Sequence, residues 1–316
     1  MSGSLRGVLG SDQQIRCDTR STPDVAISPT LRRRHLSSLL REAREKRGLT
    51  AKWVAEKAKE RSGRERGWSE SKLNRLESGV WKRVRAEDIT VLLDIYGITA
   101  PDERATYLTL VREAMQKGWW ASYSDVLGTG EFVGLEAEAS RIRTFESAAI
   151  PGLLQTEDYA RALMRDSEQI GSSASLDRRV QARMLRQQIL NQSSPPDFHT
   201  VIDESVLLRI TPELAGQLDH LWEASHRPHI DIRILPLSRG PHAAMTGQFV
   251  ILDFPLPNQP VVYLEALAEE IYLDKPEEID RYQRIYEYLR DQALSPEDSR
   301  DLIHTLRLSL NEKRHD

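Results

Sequence analysis

Apolar positions recur at helical spacing once the chain passes residue 30. Leu31, His35, Leu36, Leu39, Leu40 and Ala43 share one face, and the pattern stops at Arg47-Gly48. A short second helix over 51–58 follows Thr50 as its cap. Trp53, Val54 and Ala58 give it an apolar face, and the small Ala55 allows close packing. The basic run 59–66 intervenes. Ser69 then caps a third helix that ends at Gly79, with Trp68 and Leu73 at the N′ and N4 positions of a hydrophobic staple. Ile89, Leu92, Leu93 and Tyr96 mark a fourth helix over 86–96. Pro101 opens a fifth, with Tyr107, Leu108, Val111 and Met115 inward, ending near Gly118. The pattern predicts a five-helix, all-α domain over 30–117 with helix-turn-helix spacing. Residues 1–29, rich in Ser, Gly, Thr, Asp and Arg, read as a disordered tail.

The rest, 118–316, predicts an α+β domain. Glu136, Ala139, Ile142 and Phe145 share a helical period. Thr156 caps a helix with Tyr159, Leu163 and Met164 inward, and a further helix over 176–190 carries Arg178, Arg179, Arg183 and Arg186. Alternation of period two then predicts strands over 198–203, 230–235, 248–254 and 261–265, interleaved with helices over 212–224, 276–290 and 295–310. These strands suggest a small, mostly antiparallel sheet.

A chain of 316 residues has room for two cores, and 39% hydrophobic with 29% charged residues describes a soluble globular protein. No apolar run is long enough for a membrane span, and no apolar stretch follows Met1 as in a secretory signal. Cys17 is the only cysteine, which excludes an intramolecular disulfide and a cysteine zinc cluster and fits a reducing cytoplasm. The net charge of −4 conceals an asymmetry. Residues 31–90 hold 18 Lys and Arg against 9 Asp and Glu, leaving 26 basic and 39 acidic residues for the remainder. A basic module on an acidic body points to a polyanionic partner for the first part alone.

Candidate chemistry in the second part is sparse. His226 and His229 could ligate a metal, but Pro228 lies between them and no third ligand has a supporting spacing, so a surface turn is expected. Asp203-Glu204 is either an acid–base pair or a helix cap. No P-loop, dinucleotide fingerprint or Gly-x-Ser-x-Gly elbow is present, and the expectation is of a non-enzyme without metal or cofactor. Trp119, Trp120, Tyr123, Phe132, Phe145 and Tyr159, with Arg141 and Arg143 among them, form either an aromatic cleft for a ligand or partner, or an interdomain core. The glycine-bracketed loop 238–247 is either functional or a connection.

Several stretches carry a family resemblance. Gly48-Leu49-Thr50, Gly67-Trp68-Ser69, Ser71-Lys72-Leu73, Arg75-Leu76-Glu77-Ser78-Gly79 and Leu92-Leu93-Asp94-Ile95-Tyr96-Gly97 resemble the XRE-type helix-turn-helix of phage-repressor relatives in its actinobacterial form. Gly118-Trp119-Trp120, the run from Ile150-Pro151-Gly152-Leu153-Leu154-Gln155-Thr156 to Ala160, and Leu294-Ser295-Pro296-Glu297-Asp298-Ser299 resemble the large C-terminal domain of uncharacterised function that accompanies it. By matched position, the resemblance implies that Glu70, Ser71, Asn74 and Arg75 face bases. It likewise puts Thr50, Lys52, Lys72, Lys82, Arg83 and Arg85 near phosphates. The family joins its second and third helices with only a few residues, so 59–66 is longer here. The function expected is a cytoplasmic, sequence-specific transcriptional regulator. It would bind double-stranded DNA as a homodimer and be modulated through the second domain by a small ligand or small protein. An antitoxin-like protein that neutralises a small partner, and a DNA-tethered enzyme, are the alternatives.

Overall fold

The five apolar stripes at the start of the chain close on one another. In the computed structural model, which describes residues 29–64, 67–81, 83–165, 173–255, 258–266 and 269–315, they are α1 (Pro29–Lys46), α2 (Ala51–Ser62), α3 (Glu70–Glu77), α4 (Ala86–Ile95) and α5 (Pro101–Ala114). Leu36 and Leu40 of α1 meet Val54 and Ala58, Trp68, Leu73 and Leu76, and Leu92, Leu93 and Tyr96 in one core. The tail expected over 1–28 lies outside the described residues. Four apolar positions expected inside are not: Trp53 is 45% exposed, and Leu108, Met115 and, later in the chain, Leu163 are also exposed. The run 59–66 is not all linker. Its first half continues α2 to Ser62, where Gly63 takes φ 62°, a left-handed cap that costs glycine nothing.

The remainder comprises α6 (Ser124–Leu127), α7 (Glu131–Glu136), β1 (Arg141–Glu146), α8 (Glu157–Arg165), α9 (Ser173–Gln187), β2 (Asp197–Asp203), α10 (Glu204–Leu208), α11 (Gly216–Ala224), β3 (Ile230–Leu235), β4 (Phe249–Asp253), β5 (Val261–Glu265), β6 (Glu270–Leu273), α12 (Pro276–Gln292) and α13 (Pro296–His315). The strands form one sheet in the order β3-β2-β1-β4-β5-β6. The α+β class stands, but the sheet is mixed and not mostly antiparallel: β1–β2 and β2–β3 are parallel, with helices as their crossovers, and the other pairs are antiparallel. Residues 141–146 are its central strand, where a helical period was expected. Ile142 and Phe145 bury into different cores on opposite faces, so an i, i+3 spacing here reflects a strand covered on both sides. Thr144 and Thr200 pair their hydroxyls across β1 and β2 at 2.8 Å. Strand β6 was not anticipated from the sequence.

Two sequence motifs act as stitching. In the run 150–156, Gln155 donates to Ile150 O at 2.7 Å, Gln217 donates to Leu154 O and accepts from Thr156 N, and Gln187 donates to Gly152 O. At the β3 edge, Ile234 N donates to the buried Ser299 hydroxyl and Leu294 N donates to Ile234 O, each at 2.9 Å, so the 294–299 motif covers an otherwise open strand.

Glu146 ends β1 half-buried beneath α9. Burial, reinforced by the neighbouring Glu265 charge, pushes its carboxyl up to about 8, against the opposing pull of the Thr144 hydroxyl, Arg186 and Arg183. Between about 4.5 and about 8 the folded state holds a proton that the unfolded chain has released. This contribution to stability therefore falls as pH rises through that window and is flat above it. We expect a slope of at most ~1.4 kcal/mol per pH unit that Glu146→Gln removes. Urea unfolding from pH 5 to 9 measures it, and identical slopes for both proteins would refute the assignment.

Helix α1 joins the two parts. Its first turn belongs to the sheet side: Leu31 is buried in the sheet core, and Arg34 pairs with Glu131 at 3.1 Å and Asp274 at 2.8 Å. Gly134 of α7 lets this turn approach, since a Cβ there would lie 2.3 Å from Thr30 Oγ1 and 2.8 Å from Thr30 Cβ. Gly134→Ala is expected to destabilise the protein by about 1–3 kcal/mol through overpacking. An unchanged urea midpoint would show that the contact yields freely.

Candidate nucleic-acid interface

The third helix is short, and its surroundings hold it. Ser69 has extended backbone, and its hydroxyl accepts from Lys72 N at 3.1 Å, as the sequence predicts for the cap. Trp68 and Leu73 are buried together, consistent with the staple, and Gly79 leaves the helix at φ 78°. On the opposite side Glu70, Ser71, Asn74 and Arg75 are exposed, and among the described residues no side chain partners them. They border a shallow concavity of about 720 Å³ with Arg41 of α1. An amide and a guanidinium free on one helix face match the bidentate demands of adenine and guanine edges, and Glu70 and Ser71 sit at the helix N-terminus, the end that reaches bases in this geometry.

Two buried carboxylates set the position of this helix. Glu77, with a side chain only 3% exposed, receives Arg44 Nε at 2.8 and 3.0 Å and Arg44 Nη2 at 2.8 Å. Tyr96 donates to the same carboxylate at 3.4 Å. Burial and the Glu77 charge hold the Tyr96 phenol well above its usual range, so it remains a donor. This cluster ties α3 to α1 and α4. Asp88 does the same at the other end, accepting from Lys72 Nζ at 2.9 Å and from Arg64 Nη1 at 3.3 Å.

The residues expected near phosphates divide accordingly. Lys52, Arg83 and Arg85 are exposed on the side chain. Thr50 caps α2, its hydroxyl accepting from Trp53 N at 3.2 Å. Lys72 is turned toward α4 and lies 4.4 Å over the Trp68 ring, so its charge is engaged within the protein. Lys82 lies outside the described residues, as does Arg66. Arg41 and Arg44 were missed in the sequence, because only the crossing of α1 and α3 brings them beside the recognition face.

The aromatic residues of the joining region do not form a single cleft. Trp119 and Tyr123 border one shallow cavity beside α9. Trp120 is buried against Gly118, Gly130 and Gly134. Phe132 stacks on Tyr263 with centroids 4.1 Å apart, whereas Phe145 lies in the core on the other face of the sheet. The Tyr159 hydroxyl accepts from Ile150 N at 3.3 Å in the interior. Arg141 pairs with Asp197, and Arg143 holds Asp253 at 2.8 Å. Alternation along β1 puts Arg141, Arg143 and Phe145 on one face of the sheet, whereas Phe132 and Tyr159 pack in the core on the other. Asp203 caps α10 by accepting from Ser205 N, and Glu204 accepts from Leu237 N. The ring nitrogens of His226 and His229 lie on the carbonyls of Trp222 and Leu190.

The described residues contain no helix long and apolar enough to cross a membrane. A helix-turn-helix domain family matches residues 35–106, a span that includes the capped third helix. No curated protein and no solved structure matches the chain. A second family, the domain of unknown function DUF5753, matches residues 129–305. Since that match spans more than half of its length, the chain belongs to the DUF5753 family and carries a helix-turn-helix domain ahead of it.

Proposed function

We propose that this chain is a sequence-specific transcriptional regulator of the actinobacterial XRE type, acting in the cytoplasm. Residues 30–117 form its DNA-binding domain and 118–316 its regulatory domain. The observation that carries the reading is the α3 face: Glu70, Ser71, Asn74 and Arg75 are exposed, without side-chain partners among the described residues, on a helix locked from behind by Glu77 and Asp88. The operator is bound by a homodimer, as two recognition helices on successive turns require, and the second domain modulates binding through a small ligand or small protein. The local excess of basic residues over 31–90 supplies the phosphate attraction.

Gel-shift titration across a salt series tests this. Lys52→Ala is expected to weaken binding to all sequences alike and lower the salt slope by about one. Wild-type protein that binds a genomic operator fragment no better than unrelated DNA would overturn the reading.

A further inference from the structure

A cavity of about 770 Å³ lies between α9 and the sheet, closed at the side by α7. One wall carries guanidiniums and the other carboxyl groups, and the two do not meet. Arg179, Arg183 and Arg186 stand at i, i+4 and i+7 on α9. Arg186 is held by Glu136, but among the described residues Arg183 donates only to the neutral Gln155 Oε1 at 2.8 Å, and Arg179 Nε is buried without a partner. Gly152 leaves the room for this, since a Cβ there would lie 2.8 Å from Arg183 Nη1. Across the cavity the sheet presents Glu146 from β1 and Glu265 from β5, and among the described residues neither forms an ion pair. Between them Gln248 Oε1 is buried and, among the described residues, unpartnered, and the stacked Phe132 and Tyr263 rings form an apolar flank.

Unsatisfied polar groups on facing walls are expensive unless something completes them. An anion alone would meet the carboxylate wall and a cation alone the guanidinium wall. We infer that the cavity binds a small zwitterion, an α-amino acid or dipeptide. Its carboxylate is held by Arg179 and Arg183 and its ammonium by Glu146 and Glu265. The volume lies within the range of small-molecule sites. The inference rests on the reading that the second domain regulates the first, and it names the chemistry of the effector. The route between them is short: Glu131 and Asp274, which hold Arg34 of α1, are on α7 and just after β6, the elements that border the cavity through Phe132 and Glu270. Helix α1 in turn supplies Arg44 to the Glu77 anchor of α3.

Isothermal titration of the full chain, without DNA, against the twenty L-amino acids and a set of alanyl dipeptides is the test. At least one compound is expected to bind with Kd below about 1 mM and to lose about tenfold or more on N-acetylation and on C-terminal amidation alike. Arg179→Met and Glu265→Gln should each lose about tenfold with an unchanged melting temperature, because neither side chain is paired in the fold. An ammonium beside Glu146 should also displace its proton, so the apparent heat at pH 7 should vary with the ionisation enthalpy of the buffer. No binding across the panel would overturn the proposal. So would a binder indifferent to acetylation and amidation, or one bound equally by both variants. DNA affinity with and without the bound compound is measured separately. If the zwitterion binds and DNA affinity does not change, the site stands and the regulatory reading falls.

Discussion

Glu77→Ala is expected to destabilise the protein by about 3 kcal/mol, because it leaves the partly buried Arg44 guanidinium with only the exposed Glu45 as counter-charge. The Arg44 side chain is 15% exposed and that of Glu77 is 3%, so little solvent screens the pair. Arg44→Ala should be as damaging, since it strands the carboxylate. Removing both charges together as Arg44→Met with Glu77→Leu should recover much of the loss, since a buried pair replaced by apolar groups is often neutral. Urea unfolding of the two single variants and the double variant closes the cycle. Strictly additive losses would mean that the two residues act independently. The functional consequence is that α3 loses its fixed angle against α1 and α4, so DNA affinity should fall even in buffers where the variant is folded.

Arg75→Ala should leave stability untouched and weaken specific DNA binding by about 1–3 kcal/mol, or about 5- to 150-fold. Arg75 is exposed and makes no contact with another side chain among the described residues, so nothing in the fold depends on it. Preference at one base pair should relax while binding to unrelated DNA changes little. Competition gel shifts against a randomised operator read both quantities. Equal losses on specific and unrelated DNA would make Arg75 a phosphate contact. The two variants separate two expected roles of one helix: Glu77 fixing where it sits, and Arg75 reading what it meets.

Much of the interface was legible because its determinants are local. The Ser69 cap, the Trp68–Leu73 staple and the Gly79 stop each span a few residues, so spacing alone specifies them and fixes which face of α3 remains outside. The helical core followed from period and from stop signals at Gly48 and Gly97 for the same reason. Where the reading went astray, the deciding partner was remote. The Asp88 partner that α4 places beside Lys72 is invisible in the sequence. Trp53 reads as core until α2 turns it to solvent. Residues 141–146 read as helix because a central strand is apolar on both faces, which hides its period of two. The parallel pairing of β1, β2 and β3 leaves no local signature at all, since it depends on how long crossovers return.

The sequence by itself determined a capped, basic-flanked short helix in an all-α module, followed by a body of mixed helix and strand. Caps, turns and amphipathic faces are properties of neighbouring residues. Only the tertiary structure decided how that helix is held, through Arg44 of α1, Glu77 of α3 and Tyr96 at the end of α4, and that α1 belongs to both cores. It also decided that the arginines of α9 face carboxylates from β1 and β5 across an open cavity. Each of these juxtapositions joins charges far apart in the chain, and their meaning depends on burial and distance, which no stretch of sequence contains.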